Sequence, residues 1–140
     1  MNVDEDIVSR KYQNVDFDDL VDDLVVEIQQ HNFHISRINH IDNIYDRLEA
    51  GIDVSVNFKH YKIVEICNLN ICSELISADL RAGVFMPVRF AVYQQQEETS
   101  AHVAFLKPTA FARLFDSKPL MQVATQLEEE MIDVLEEMAY

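Results

Sequence analysis

Tyr61-Lys62-Ile63-Val64-Glu65-Ile66-Cys67-Asn68-Leu69 is the stretch on which the fold turns. Tyr61, Ile63, Glu65 and Cys67 alternate with Lys62, Val64 and Ile66, and both sets are largely apolar. Period-two spacing is that of a strand, and apolar residues on both faces predict an interior, covered one. Asn68 then offers a side-chain oxygen to the free N–H groups of a first helical turn. A helix is predicted from Leu69 to Ala82, with Ile71, Cys72, Leu75, Ala78 and Ala82 buried and Gly83 ending it.

Upstream, a first strand is predicted over about Val8 to Val15. Asp16 caps a helix predicted over residues 17–31. Phe17, Leu20, Val21, Leu24, Val25 and Ile28 share one face of it, opposite Asp18, Asp19, Asp22 and Asp23. Those early aspartates suit the positive end of the helix dipole and read as a solvated face, since they lack the glycine-bearing loop of a calcium site. A β-like stretch from Phe33 to Ile38 follows, then a polar helical segment from Ile41 to Glu49 that stops at Gly51. Ile52, Val54, Val56 and Phe58 alternate with polar residues as a half-buried strand would.

Downstream, Met86, Val88, Phe90 and Val92 alternate with Pro87, Arg89, Ala91 and Tyr93. With the polar stretch Gln94 to Glu98 and the run Ala101 to Leu106, they predict a hairpin, closed by Pro108. A helical turn near Thr109 to Leu114 precedes a final helix over residues 120–138, opened by Pro119. Val123, Leu127, Met131, Val134, Leu135 and Met138 form its apolar stripe. Strands and helices interleave without a βαβ rhythm, no repeat or linker interrupts them, and the expectation is one α+β domain over residues 1–140.

Composition bounds the partners. The 140 residues are 49% hydrophobic and 26% charged, with only two glycines and three prolines, which excludes low-complexity and collagenous chains. Eleven basic against 25 acidic residues give a net charge of -14, and the basic ones are scattered. A phosphate backbone is held by clustered Lys and Arg, so nucleic acid and anionic membranes are not expected partners. The acidic start and the short apolar runs match neither a signal peptide nor a membrane span, and two cysteines match no disulfide framework. A cytoplasmic protein with free thiols is expected.

Motifs for catalysis are absent. No nucleophile elbow, Walker loop or dinucleotide fingerprint occurs, so no cofactor is expected. His31, His34 and His40 lie close in sequence, but their spacing is not that of a zinc helix or finger, and no metal is expected. Cys67 is the one candidate thiol. At a helix N-terminus its thiolate would be stabilised; in the core, Cys67 and Cys72 would be small hydrophobes instead.

Several of these motifs together resemble the family known as domain of unknown function 302. Tyr61 to Leu69 is similar to a family segment in which a strand ends in Gly/Cys-Asn-Pro before a helix. Gly83-Val84-Phe85-Met86-Pro87-Val88-Arg89 is similar to its Leu-Pro signature opening a hairpin strand. Ile38-Asn39-His40 resembles the end of its first helix–strand unit, and Pro108 the proline closing the hairpin. The likeness runs from about Phe17 to Leu114. Leu69 stands where the family has proline after Cys-Asn, and Met86 replaces the leucine of Leu-Pro. Val88 stands where many members carry a second cysteine, which removes that thiol pair.

The resemblance implies a curved, mainly antiparallel sheet with helices on one face, similar to the TATA-binding-protein-like class, and a homodimer. It carries no activity and, with this charge, no DNA binding. The reading is therefore a non-catalytic binding or accessory module, homodimeric, for a small apolar ligand or a partner segment. Cys67, Asn68, Pro87 and His40 are its candidate binding residues. The rival is a thiol-dependent redox or sulfur-handling protein using Cys67.

Overall fold

The computed structural model describes residues 2–44, 46, 51 and 56–140. Its elements run α1 (Val3–Asp6), β1 (Ile7–Tyr12), α2 (Phe17–Gln30), β2 (His34–His40), β3 (Phe58–Cys67) and α3 (Leu69–Ala78). They continue with β4 (Val88–Gln95), β5 (Ala101–Leu106), α4 (Pro108–Ala112) and α5 (Lys118–Glu136). Three turns of 3-10 helix, at Ile41–Asn43, Leu80–Phe85 and Arg113–Phe115, link them.

The caps form as the side chains dictate. Asp16 accepts from the Asp19 N–H at 3.0 Å, Asn68 from Asn70 and Ile71 at 3.1 and 3.2 Å, and Ser117 from Leu120 at 3.3 Å. The strands form one antiparallel five-stranded sheet in the order β1-β5-β4-β3-β2. Both long helices lay the predicted stripes on one face of it. Leu20, Leu24 and Ile28 of α2 and Leu127, Met131 and Val134 of α5 meet Val64, Ile66, Phe90, Val92 and Val103 of the sheet. The other face carries Tyr61, Ile63, Ala91, Tyr93, Ala104 and Leu106, all half-buried. Past α5, Tyr140 donates its phenolic hydrogen bond to Asp23 and rests edge-on against Tyr12, fastening the chain end to α2.

The structure departs from the sequence reading in several places. β3 is interior to the sheet as expected, but it is covered on one face only, because every long helix packs on the same side. It also starts at Phe58, so residues 58–67 are one strand with a bulge at Lys59. Of the strand expected over Ile52 to Phe58, residues 52–55 lie outside the described residues. The same holds for residues 45 and 47–49 of the expected helical segment, whose start is the Ile41–Asn43 turn. The helix from Leu69 stops at Ala78, four residues early. Asp79 adopts an extended backbone and its carboxylate accepts from the Arg81 N–H at 2.9 Å, starting a 3-10 segment that contains Gly83. The first strand ends at Tyr12, before Val15, and α1 has no counterpart in the sequence reading.

Candidate functional site

Two cysteines meet where β3 runs into α3. The Sγ atoms of Cys67 and Cys72 lie 3.2 Å apart, both half-buried and both free. With Asn68 as the cap, Cys67 stands one residue before it and Cys72 at the fourth helical position. These are the two places that a hydrophobic staple fills, so local helix geometry brings the side chains together. Burial first, then the hydrogen bond and charge of Cys67, push the Cys72 thiol up to about 11. Sequence reasoning placed the absent partner of Cys67 at Val88; its partner is Cys72. The staple spacing was the signal that could have found it.

The remaining candidates divide. Asn68 adds to its cap a hydrogen bond from Nδ2 to the Asn32 carbonyl at 3.4 Å. Pro87, after a cis peptide bond, stands one residue before Val88, the ladder partner of Ile66, and so borders the same strand end. His40 does not. The ladder sets His34 opposite Cys67 and His40 opposite Lys62, six residues along β2, or about 20 Å. Its Nδ1 accepts from the Lys62 ammonium at 2.8 Å, and that ammonium also meets Asp42 at 3.1 Å. His40 thus belongs to an edge network remote from the thiols.

A second feature lies on the uncovered sheet face. Tyr61, Tyr93 and His102 stack across three strands, with ring centroids 5.5 and 5.0 Å apart and planes within 12° and 13°. Burial, then the neighbouring Tyr93, holds the Tyr61 phenol above its ordinary range, so it is a neutral donor at physiological pH. His102 is held by Glu98 at 2.9 Å. Beside this ladder opens a concavity of about 890 Å³ bordered by Ile7, Tyr61, Ala91, Tyr93, Ala104 and Leu106. Arg89 and Lys107 also border it, and α1 adds Asp4 and Glu5. The Arg89 guanidinium donates to the Pro87 carbonyl at 3.0 Å. The ion pairs of Arg and Lys among the described residues involve Arg10, Lys62, Arg81 and Arg113; Arg89 and Lys107 form none, although the ladder sets Glu65 of β3 opposite Arg89. The sequence reading missed this face because it took both faces of β3 as covered.

His31, discounted on its spacing to other histidines, is surrounded by glutamates from two helices. Its Nδ1 meets Glu130 and its Nε2 meets Glu137, each at 2.9 Å, and Glu27 stands 4.0 Å from Nε2. Burial draws the ring toward its neutral form, but the hydrogen bonds to Glu130 and Glu137 outweigh it and raise the pKa. His60 stacks on Phe17 at 4.6 Å and contributes to packing.

No helix of the described residues is long and apolar enough to cross a membrane. No curated protein matches the chain. Among solved structures it is similar to an uncharacterized conserved protein, DUF302, from Bacillus stearothermophilus. The two are 19% identical with a TM-score of 0.79, over 94% of this chain and 97% of that one, a likeness of fold. The sequence matches the family described as "Domain of unknown function DUF302" from residue 8 to residue 138. The likeness read from Phe17 to Leu114 thus extends over both flanks, and the chain belongs to the DUF302 family.

Proposed function

We propose that this protein is a non-catalytic binding module that holds a small apolar molecule with one anionic group against its uncovered sheet face. The observation that carries the reading is the concavity of about 890 Å³ with an apolar floor and unpaired basic side chains at its border. Its volume is that of a small-molecule site, and such sites pair an apolar lining with a few orienting polar groups. Ile7 pairs with Leu106, and the β4–β5 register at Ala91 and Ala104, continued by two residues, brings Leu106 level with Arg89, so Arg89 lies two strand spacings, about 9.5 Å, from the strand that carries acidic α1. The anionic end is assigned to the Arg89 side, where the cross-strand neighbour Glu65 accepts a hydrogen bond from Asn39 at 3.1 Å and forms no ion pair with Arg89. The reading includes a symmetric homodimer, supported by apolar side chains left in solvent. Leu80 and Val84 are 83% and 77% exposed, and Leu114 is 68% exposed. Phe85, stacked on Phe111 and edge-on to Phe115, ties the two segments together.

The test is calorimetric titration with octanoate and with the uncharged octanol. Octanoate should bind more tightly by about 10- to 100-fold, the worth of a charge-assisted hydrogen bond, and Arg89→Ala should erase the difference. Ala91→Trp, which fills the floor, should abolish both. Absence of binding to either, with a ligand-free mass in native spectrometry of freshly purified protein, would remove the reading.

A second reading rests on the 3.2 Å thiol contact. The pair would pass two electrons and two protons to an external disulfide, reducing it to two thiols and closing a Cys67–Cys72 disulfide. This is the redox alternative, with Cys72 as the partner of Cys67.

A further inference from the structure

We infer that Glu27, His31 and Glu137 form a binding site for one divalent first-row metal ion of the zinc class, clasping α2 to α5. One atom from each, His31 Nε2 and a carboxylate oxygen of Glu27 and of Glu137, lies within 4.8 Å of the others. The ligands come from two helices, with Glu27 and His31 one turn apart on α2 and Glu137 capping the end of α5. Ligand atoms on a tetrahedral zinc at about 2.0–2.2 Å are some 3.4 Å apart. Nε2 is 2.9 Å from Glu137 and 4.0 Å from Glu27, so sub-ångström movements of the two carboxylates bring both onto that spacing from the nitrogen, and the carboxylate oxygens themselves lie within 4.8 Å of each other.

Two further observations point to an ion. Glu27 Oε2 is buried and has no hydrogen-bond partner, the one such side-chain atom among the described residues; His31 Nε2, 4.0 Å away, is too far to donate to it. A buried carboxylate oxygen without a donor is costly, and a cation beside it satisfies it. His31 Nδ1 is meanwhile held by Glu130 at 2.9 Å. A ligating imidazole uses the same arrangement: a carboxylate takes the N–H of one ring nitrogen, fixes the ring and leaves the other nitrogen to the metal. Glu130 is then a positioning residue, and the metal takes the place of the Nε2 proton now shared with Glu137.

The donor set selects the metal. One imidazole and two carboxylates suit zinc, cobalt or manganese, whereas calcium and magnesium call for all-oxygen shells with more ligands. Three protein ligands leave a fourth position to water. Packing between the helices already aligns the ligands, so the ion acts first as a cross-brace between residues far apart in sequence.

The test uses full-length protein stripped with chelator, in a Cys67→Ser/Cys72→Ser background so that the thiol pair cannot take the ion. Calorimetry with Zn²⁺ should show one equivalent bound and a melting temperature raised by several degrees. Co²⁺ should give d–d bands without a thiolate charge-transfer band. Glu27→Gln and His31→Gln should each weaken binding at least tenfold, and Glu130→Gln about 10- to 100-fold through ring orientation. Glu27→Gln serves even if the His31 variant fails to fold, because it leaves the His31 contacts with Glu130 and Glu137 in place. A purely structural His31 clamp would show no metal-dependent shift in the parent. No saturable binding, or equal affinity in parent and Glu27→Gln, would overturn the assignment.

Discussion

The thiol pair offers the sharpest arithmetic. Cys72 is pushed from 9.0 to about 11, chiefly by burial and then by Cys67. The thiolate is the reactive form, so two units of pKa cut its population about 100-fold at any pH well below 9. At pH 7.5 iodoacetamide should label native Cys72 about 100-fold more slowly than a free model thiol. The rate should rise about tenfold per pH unit and level off only near 11. Cys67→Ala removes a hydrogen bond and a neighbouring charge but leaves the burial. Labelling of Cys72 should accelerate by less than the full 100-fold, because desolvation is the largest cause. The readout is a timed quench with peptide mass spectrometry, with an unfolded control in denaturant to set the ceiling. Native Cys72 labelling at the model-thiol rate would refute the burial argument. The same samples treated with glutathione disulfide decide the redox alternative. The Sγ atoms need to close from 3.2 to about 2.05 Å, and an intrachain Cys67–Cys72 disulfide should form. Retention of two free thiols would remove that reading.

Leu24 is fully buried between α2 and the sheet, so Leu24→Ala should cost about 3 kcal/mol and lower the melting temperature by roughly 10 °C. Leu24→Asp, which puts an unpaired charge in the same place, should prevent folding, and a melt unchanged by it would refute the orientation of α2. For the dimer, sedimentation velocity should show twice the chain mass, with association tightening as salt screens the charge of -14. Leu80→Glu with Val84→Glu should give a monomer, and a wild-type monomer at micromolar concentration in both low and physiological salt would sink the proposal.

Local signals were legible to the extent that local physics decided them. Asp16 and the i, i+3, i+4 spacing from Phe17 to Ile28 gave α2 to within a residue of its ends, and alternation gave the β4–β5 hairpin. Alternation also placed β3 inside the sheet. It could not say that one of its two apolar faces would stay open, because that depends on which side the helices take. The uncovered ladder of Tyr61, Tyr93 and His102, and the concavity beside it, were invisible for the same reason. The helix beginning at Leu69 was misjudged at its far end because Ala82 is buried whether the chain is α-helical or, as after Asp79, 3-10.

The site residues follow the same division, and the histidines show it most clearly. His34 and His40, the neighbours of His31 in sequence, sit on the edge strand β2 and not on either of the helices that surround His31. Glu27 and His31 share a helix face by simple i, i+4 geometry, which the sequence does display. On a chain with 25 acidic residues such a pair is unremarkable until a second helix is placed beside it. Packing of α5 on α2 supplies Glu130 and Glu137, 99 and 106 residues away from His31, and leaves one oxygen of Glu27 buried without a donor. The acidity that excluded nucleic acid therefore has a local consequence. Where two acidic helices converge on one histidine, the excess negative charge is concentrated at a place that a divalent cation would neutralise.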